Sequence, residues 1–153
     1  MSFDLLFNLA GAYIVPFWVG MIVFPKHKIT QKIMSTNLPF IPLGLLYVYF
    51  VIASFDLESA LTLANPQLSD FTRIFAQEGA ASASLAHILF TDLFLGKWIY
   101  WQGLEKKIFT PHSLVLCIFY GPTGLLSHLI TERVFGNKND DSKNSDNQEL
   151  EDK

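Results

Sequence analysis

The sequence predicts an all-α integral membrane protein of four transmembrane helices, with a short interfacial helix in the second loop and a disordered C-terminal tail. Three observations predict it. Half of the residues are hydrophobic, and they gather into stretches at about 3–24, 38–55, 79–101 and 112–133. Each is close to the ~20 residues that cross a ~30 Å hydrocarbon core. Only 16% of residues are charged, against about 25% in an ordinary soluble domain. The charge is also uneven: residues 136–153 carry six acids and three lysines, whereas 1–135 carry eight acids and eight bases, so the net charge of −3 belongs to the tail. A chain of 153 residues is expected to hold one domain, here residues 1–135.

The first stretch has one formal charge, Asp4, and no lysine or arginine before Lys26. A signal peptide would offer a basic start and a small-residue cleavage site, so a retained helix is expected, and nothing ahead of it reads as a transit peptide. Residues 25–37 form a short polar loop holding Lys26, His27, Lys28 and Lys32. The second stretch has Pro39 and Pro42 near its entrance, where the missing amide costs no helical bond; Asp56 and Glu58 end it. Residues 56–78 are too polar to span. Within them Asn65-Pro66 reads as a cap followed by proline at the first helical position. Leu68, Phe71, Ile74 and Phe75 then recur at helical spacing between Asp70, Arg73 and Gln77, the pattern of a helix lying in the interface.

The third stretch is interrupted by Ser82, Ser84, His87, Thr91, Asp92 and Lys97 and closed by Gly103 and Glu105-Lys106-Lys107. Trp98, Tyr100 and Trp101 at its end read as an aromatic belt. Thr110-Pro111 repeats the cap-plus-proline signal. In the fourth stretch, Gly121-Pro122-Thr123-Gly124 is expected to kink one continuous helix, because Pro122 has no amide for the carbonyl of Ile118. The tail of Asn, Asp, Ser, Lys and Glu buries too little apolar surface to offset its ordering entropy. Loops one and three, with Lys97, carry six lysines; the opposite side carries Arg73, Arg133, Lys138 and Lys143 near the membrane. Lysine and arginine favour the cytoplasmic side, so both termini are expected to be non-cytoplasmic.

Polar residues at membrane depth are costly and mark either a function or a helix contact. The expected topology gathers Asp4, Asn8, Glu78, His87, His128 and Glu132 towards one side, where spans one, three and four could line a common cavity; Asp92 lies deeper. Each has a plainer reading. Asp4 can complement a helix dipole, Asn8 can bond another helix, Glu78 can cap a helix at the boundary, and His128 and Glu132, four apart, can pair within one helix. Asp92 is harder to explain away, since insertion scales put a mid-helix Asp at roughly +2.5 to +3.5 kcal/mol. It needs a partner such as Asn8 or Lys97, a proton, or a wet cavity. His87 and Asp92 are five apart, about 140° around a helix, and make a poor chelating pair. No His-Glu-x-x-His string is present, so neither a metal nor a cofactor is expected. The single cysteine, Cys117, excludes an internal disulfide and a cysteine-built metal site, and no basic cluster suggests nucleic acid. The Phe and Tyr residues of span two either pack the core or flank a long polyene.

Several strings are distinctive: Phe3-Asp4-Leu5-Leu6-Phe7-Asn8, Pro16-Phe17-Trp18, Leu85-Ala86-His87, Asp92-Leu93-Phe94-Leu95-Gly96-Lys97-Trp98-Ile99-Tyr100, and His112-Ser113-Leu114-Val115-Leu116-Cys117 with Gly121-Pro122 and Gly124-Leu125-Leu126-Ser127-His128. They resemble the abscisic-acid-deficient type-four family of plants and cyanobacteria, across nearly all of residues 3–133. The resemblance implies a thylakoid or plasma-membrane protein of xanthophyll metabolism, needed in plants to convert violaxanthin to neoxanthin, and without a transit peptide the bacterial branch is expected. Its implied partners are membrane lipid and a carotenoid, with a homo-oligomer or a photosynthetic complex as further options. Epoxide opening to an allene needs an acid at oxygen and a base at the departing proton. The candidates are Asp92 or Glu78 with His87, and Asp4, Asn8, His128 and Glu132 are candidate cavity residues. The alternative is a non-enzymatic carotenoid-binding or assembly factor.

Overall fold

The computed structural model of the chain describes residues 2–54, 61–62 and 64–135. The expectations for the tail and for Asp56 and Glu58 lie outside the described residues. Among those residues every regular element is helical. Helix α1 (Phe3–Val23) starts at Ser2, whose hydroxyl accepts the amide of Leu5 at 3.4 Å. It buries Ala10, Ile14, Trp18 and Met21, which recur every three or four residues along one face. Helix α3 (Phe40–Ser54) buries Phe40, Leu43 and Phe50. Both pack on α5 (Glu78–Lys106), 29 residues and about 44 Å long. Gly96 sets the α1–α5 crossing: a Cβ there would lie 2.4 Å from the Trp18 ring.

Several boundaries differ from the sequence expectation. Loop one contains a helix, α2 (Lys28–Met34), started by His27, whose Nδ1 accepts the Ile29 amide at 3.3 Å. The helix expected in the second loop, α4 (Leu68–Phe75), begins after Gln67 rather than at Asn65-Pro66, because the Asp70 carboxylate accepts the Gln67 amide at 3.2 Å. Helix α5 does not stop at Trp101; it continues through Gly103 and ends at Lys107, which takes a left-handed φ of 56°. Tyr100 and Trp101 are anchors rather than a belt. The Tyr100 hydroxyl donates to the Pro25 carbonyl at 2.6 Å, and the Trp101 indole N–H donates to the Met34 carbonyl at 3.1 Å. With α2 folded against the end of α5, these loop carbonyls become acceptors for α5 side chains.

The largest correction concerns the fourth stretch. Helix α6 (Pro111–Phe119) starts at Thr110-Pro111, where the cap-plus-proline signal placed it. It breaks at Tyr120, and helix α7 (121–135) then runs back along it. In one continuous helix Ser113 and Ser127 would stand about 21 Å apart; their hydroxyls are 3.0 Å apart. His112 Nε2 is likewise 2.9 Å from the Thr131 hydroxyl. A Cβ on Gly124 would lie 2.6 Å from the Cα of Cys117, so the glycine permits this closure. The Gly-Pro-Thr-Gly motif therefore reverses the chain instead of kinking a helix.

The fold-back also moves the last turns of α7. Phe3 stacks near Phe50 (5.7 Å between centroids) and approaches Gly79 at the start of α5. Glu132 pairs with Lys106 at the other end of α5. Residues 3 and 132 thus lie at opposite ends of the helix array, not on one side as expected. Among the described residues two helices, α1 and α5, are long and apolar enough to cross a membrane; the 15 residues of α3 reach about 22 Å.

Candidate functional site

Helix α5 presents two unlike faces. On one, Asp92 at the helix midpoint meets the tip of the α6–α7 hairpin. A Cβ on Gly121 would lie 2.1 Å from Asp92 Oδ1, so only glycine lets the tip seat against this carboxylate. The thiol of buried Cys117 donates to the Asp92 carbonyl at 3.5 Å. The carboxylate faces the first turn of α7, where a helix dipole favours negative charge. Neither partner expected for Asp92 reaches it. Asn8 Nδ2 donates to the Asp4 carbonyl at 2.8 Å, and Lys97 Nζ donates to the Thr36 carbonyl (2.8 Å) and to Asn37 Oδ1 (3.2 Å).

Towards the end of α5 the hairpin holds a polar cluster. Ser113 bridges Ser127 and His112, and His112 meets Thr131. His128 is fully buried and T-stacked on Trp98 at 5.5 Å. Its Nε2 stands 4.0 Å from the Glu132 carboxylate, which is bound to Lys106, and neither ring nitrogen has a hydrogen bond. His128 and Glu132 therefore do not share a cavity with Asp4, Asn8 and Glu78, which are exposed at the opposite end. The fold-back separates the two sets.

The other face of α5 meets α3 across an open apolar groove of about 590 Å³. Phe40 lies edge-on to Phe90 (5.6 Å) and Phe94 (5.9 Å), and Gly44 opposes Phe90. Asn37 closes one end, beside Lys97, whose ammonium lies 5.2 Å over the Phe40 ring. One turn beyond Phe90, His87 packs on Tyr47 at 5.7 Å. His87 and Asp92 thus point to different helices, as their 140° separation requires. The groove was only half legible in the sequence. Phe90 and Phe94 are four apart, as are Phe40 and Gly44, so each pair shares a helix face; nothing local shows that these faces meet. Among the described residues no group of three or more His, Cys, Asp or Glu is placed to hold a metal ion.

Comparison with known proteins adds sequence kinship to this geometry. Residues 5–128 match the model of a family described as ABA DEFICIENT 4-like. The chain is 34% identical over 137 residues to the protein ABA DEFICIENT 4, chloroplastic, of Arabidopsis thaliana, covering 86% of this chain and 62% of that relative's length. No solved structure matches.

Proposed function

This chain belongs to the ABA DEFICIENT 4-like family, and from that premise we propose that it is a multi-pass integral membrane protein of xanthophyll metabolism that holds a carotenoid between α3 and α5. The apolar exterior supports the membrane reading. Leu5, Leu9, Val15 and Val19 on α1, Leu45, Val48 and Ile52 on α3, and Leu126 and Ile130 on α7 all stand exposed. Soluble monomers rarely carry contiguous apolar patches on this scale, whereas lipid covers them without cost. In this setting the hairpin re-enters: it dips to mid-depth at Asp92 and leaves on the side it entered. Its broken backbone is tolerated there because its polar groups are paired within the turn: the Tyr120 amide donates to the Leu116 carbonyl at 2.9 Å, and the Tyr120 carbonyl accepts the Thr123 and Gly124 amides at 2.9 and 3.0 Å. The relative's plastid address is consistent with a thylakoid membrane.

The observation that carries the ligand reading is the groove itself. Phe40, Phe90 and Phe94 offer ring edges and faces to a long flat polyene, and the groove opens to the apolar exterior from which such a molecule would enter. Polar groups lie beyond it along the helices: Asn37 with Lys97 at one end, and His87 on Tyr47 one turn past Phe90. Hydroxylated or epoxidised rings suit such ends, and a plain hydrocarbon does not.

The finer reading is an epoxy-carotenoid isomerase of the violaxanthin-to-neoxanthin type. Isomerisation returns to oxygen the proton it removes from carbon, so one imidazole can serve both steps in turn. His87 is the acid/base group at the groove. Asp92 then acts as the hairpin's seat, and Glu78 as a boundary residue at the start of α5. The second reading, a carotenoid-binding or assembly factor without catalysis, is favoured by the groove lining, which consists of Asn37, Gly44 and apolar side chains.

Complementation of a deletion strain separates these. Gly44 has space for a methyl, the nearest atom lying 3.6 Å from a Cβ, but a leucine would fill the groove. Gly44→Leu is expected to insert normally and to lose both bound pigment and the xanthophyll change. His87→Gln is expected to keep the bound pigment and lose conversion if the protein is an isomerase, and to keep both if it is a binding factor. A Gly44→Leu variant with parental pigment binding and profile would remove the groove from the argument.

A further inference from the structure

We propose that the lysine-bearing end of the molecule binds the phosphate headgroup of an anionic lipid, a site separate from the α3–α5 groove and resting on the membrane reading above. A cavity of about 680 Å³ lies between loop one and loop three. Its wall is apolar and aromatic, made by Tyr100, Leu104, Ile108 and Phe109, and its rim carries Lys26 from one loop and Lys107 from the other. The frame is held from within the protein. Tyr100 ties loop one through the Pro25 carbonyl, the Ile108 amide donates to the Gly103 carbonyl at 3.0 Å, and Thr110 packs directly over Gly103.

The lysines at this end are not equivalent. Lys106 is neutralised by Glu132, and Lys97 is held by Thr36 and Asn37. Lys26 and Lys107 have no ion pair among the described residues, and both line the cavity. Two uncompensated ammonium groups on separate loops, facing one cavity, complement a phosphodiester. The same wall includes Thr110, whose side chain leaves the first turn of α6 uncapped, so its amides add partial positive charge. The choice of lipid over free phosphate comes from the remaining wall. Phe109 is exposed beside Leu104 and Ile108, which suits the glycerol and upper acyl carbons below a headgroup. A small inorganic anion would leave that apolar surface unused.

The test uses the full chain purified in neutral detergent, with its melting temperature followed as phosphatidylglycerol, phosphatidylcholine or sodium phosphate is added. Phosphatidylglycerol is expected to raise the melting temperature by several degrees, and phosphatidylcholine to leave it nearly unchanged. The double variant Lys26→Gln/Lys107→Gln should lose most of that rise, whereas Lys28→Gln, outside the cavity, should keep it. An equal rise with phosphatidylcholine, or a full rise in the double variant, overturns the proposal. The same rise with sodium phosphate alone overturns the lipid assignment. A chain that stays dispersed and monomeric without detergent removes the membrane premise instead, a result read before any lipid is added.

Discussion

The two faces of α5 solve opposite problems. Against the α6–α7 hairpin, the helix closes around its polar groups: Asp92 is seated by Gly121, His128 is sealed under Trp98, and Glu132 is held by Lys106. Against α3, it leaves an opening, lined by Phe40, Phe90 and Phe94, with His87 and Lys97 towards its ends. A polar residue inside a largely apolar protein is therefore no guide by itself to the working surface. Here the most costly carboxylate lies half-buried against the hairpin tip, and the open surface is mostly hydrocarbon. What separates the faces is backbone proximity. Three glycines, Gly96, Gly121 and Gly124, let helices touch, and Gly44 instead faces open space across from Phe90.

The sharpest break of this comparison is topological. In a Cys117→Ser background, single cysteines placed at Lys28, Lys107 and Arg133 are expected to react alike with an impermeant thiol reagent added to intact cells, and one at Ser2 oppositely. Arg133 behaving like Ser2 would restore a single crossing by the fourth stretch and dissolve the hairpin.

Next in size is closure of the hairpin. Gly124→Leu drives a side chain into the Cys117 backbone, where no rotamer change relieves it, and is expected to destabilise by about 3 kcal/mol. Gly44→Leu, in the open face, should cost less than about 1 kcal/mol. Melting temperatures in detergent compare the two; equal losses would mean that the faces are not distinct in packing.

The smallest effect is expected at His128. Its ring makes no hydrogen bond, so His128→Met, close in volume, should shift stability by no more than about 1 kcal/mol. A loss above about 2 kcal/mol would reveal a partner such as a buried water and return His128 to the candidate cavity residues.

The sequence by itself determined the helical class, the starts of α1 and α6, and the polar positions that any fold would have to accommodate. These follow from local physics: runs of apolar residues, and proline where no amide is needed. The same local physics misplaced the end of α5, because Gly103 weakens a helix only when nothing holds it, and Tyr100 and Trp101 hold this one from loop one. It also read Gly121-Pro122-Thr123-Gly124 as a kink. Proline breaks the ladder in either case, and the angle after the break is set by what the glycines can touch. Only the tertiary structure supplied those contacts, Cys117 against Gly124 and Asp92 against Gly121. The hairpin, the end of the helix array at which α7 finishes, and the separation of His87 from Asp92 and of Asp4 from His128 all follow from them. Periodicity along a chain records which residues share a face; which faces meet depends on distances that no local pattern contains.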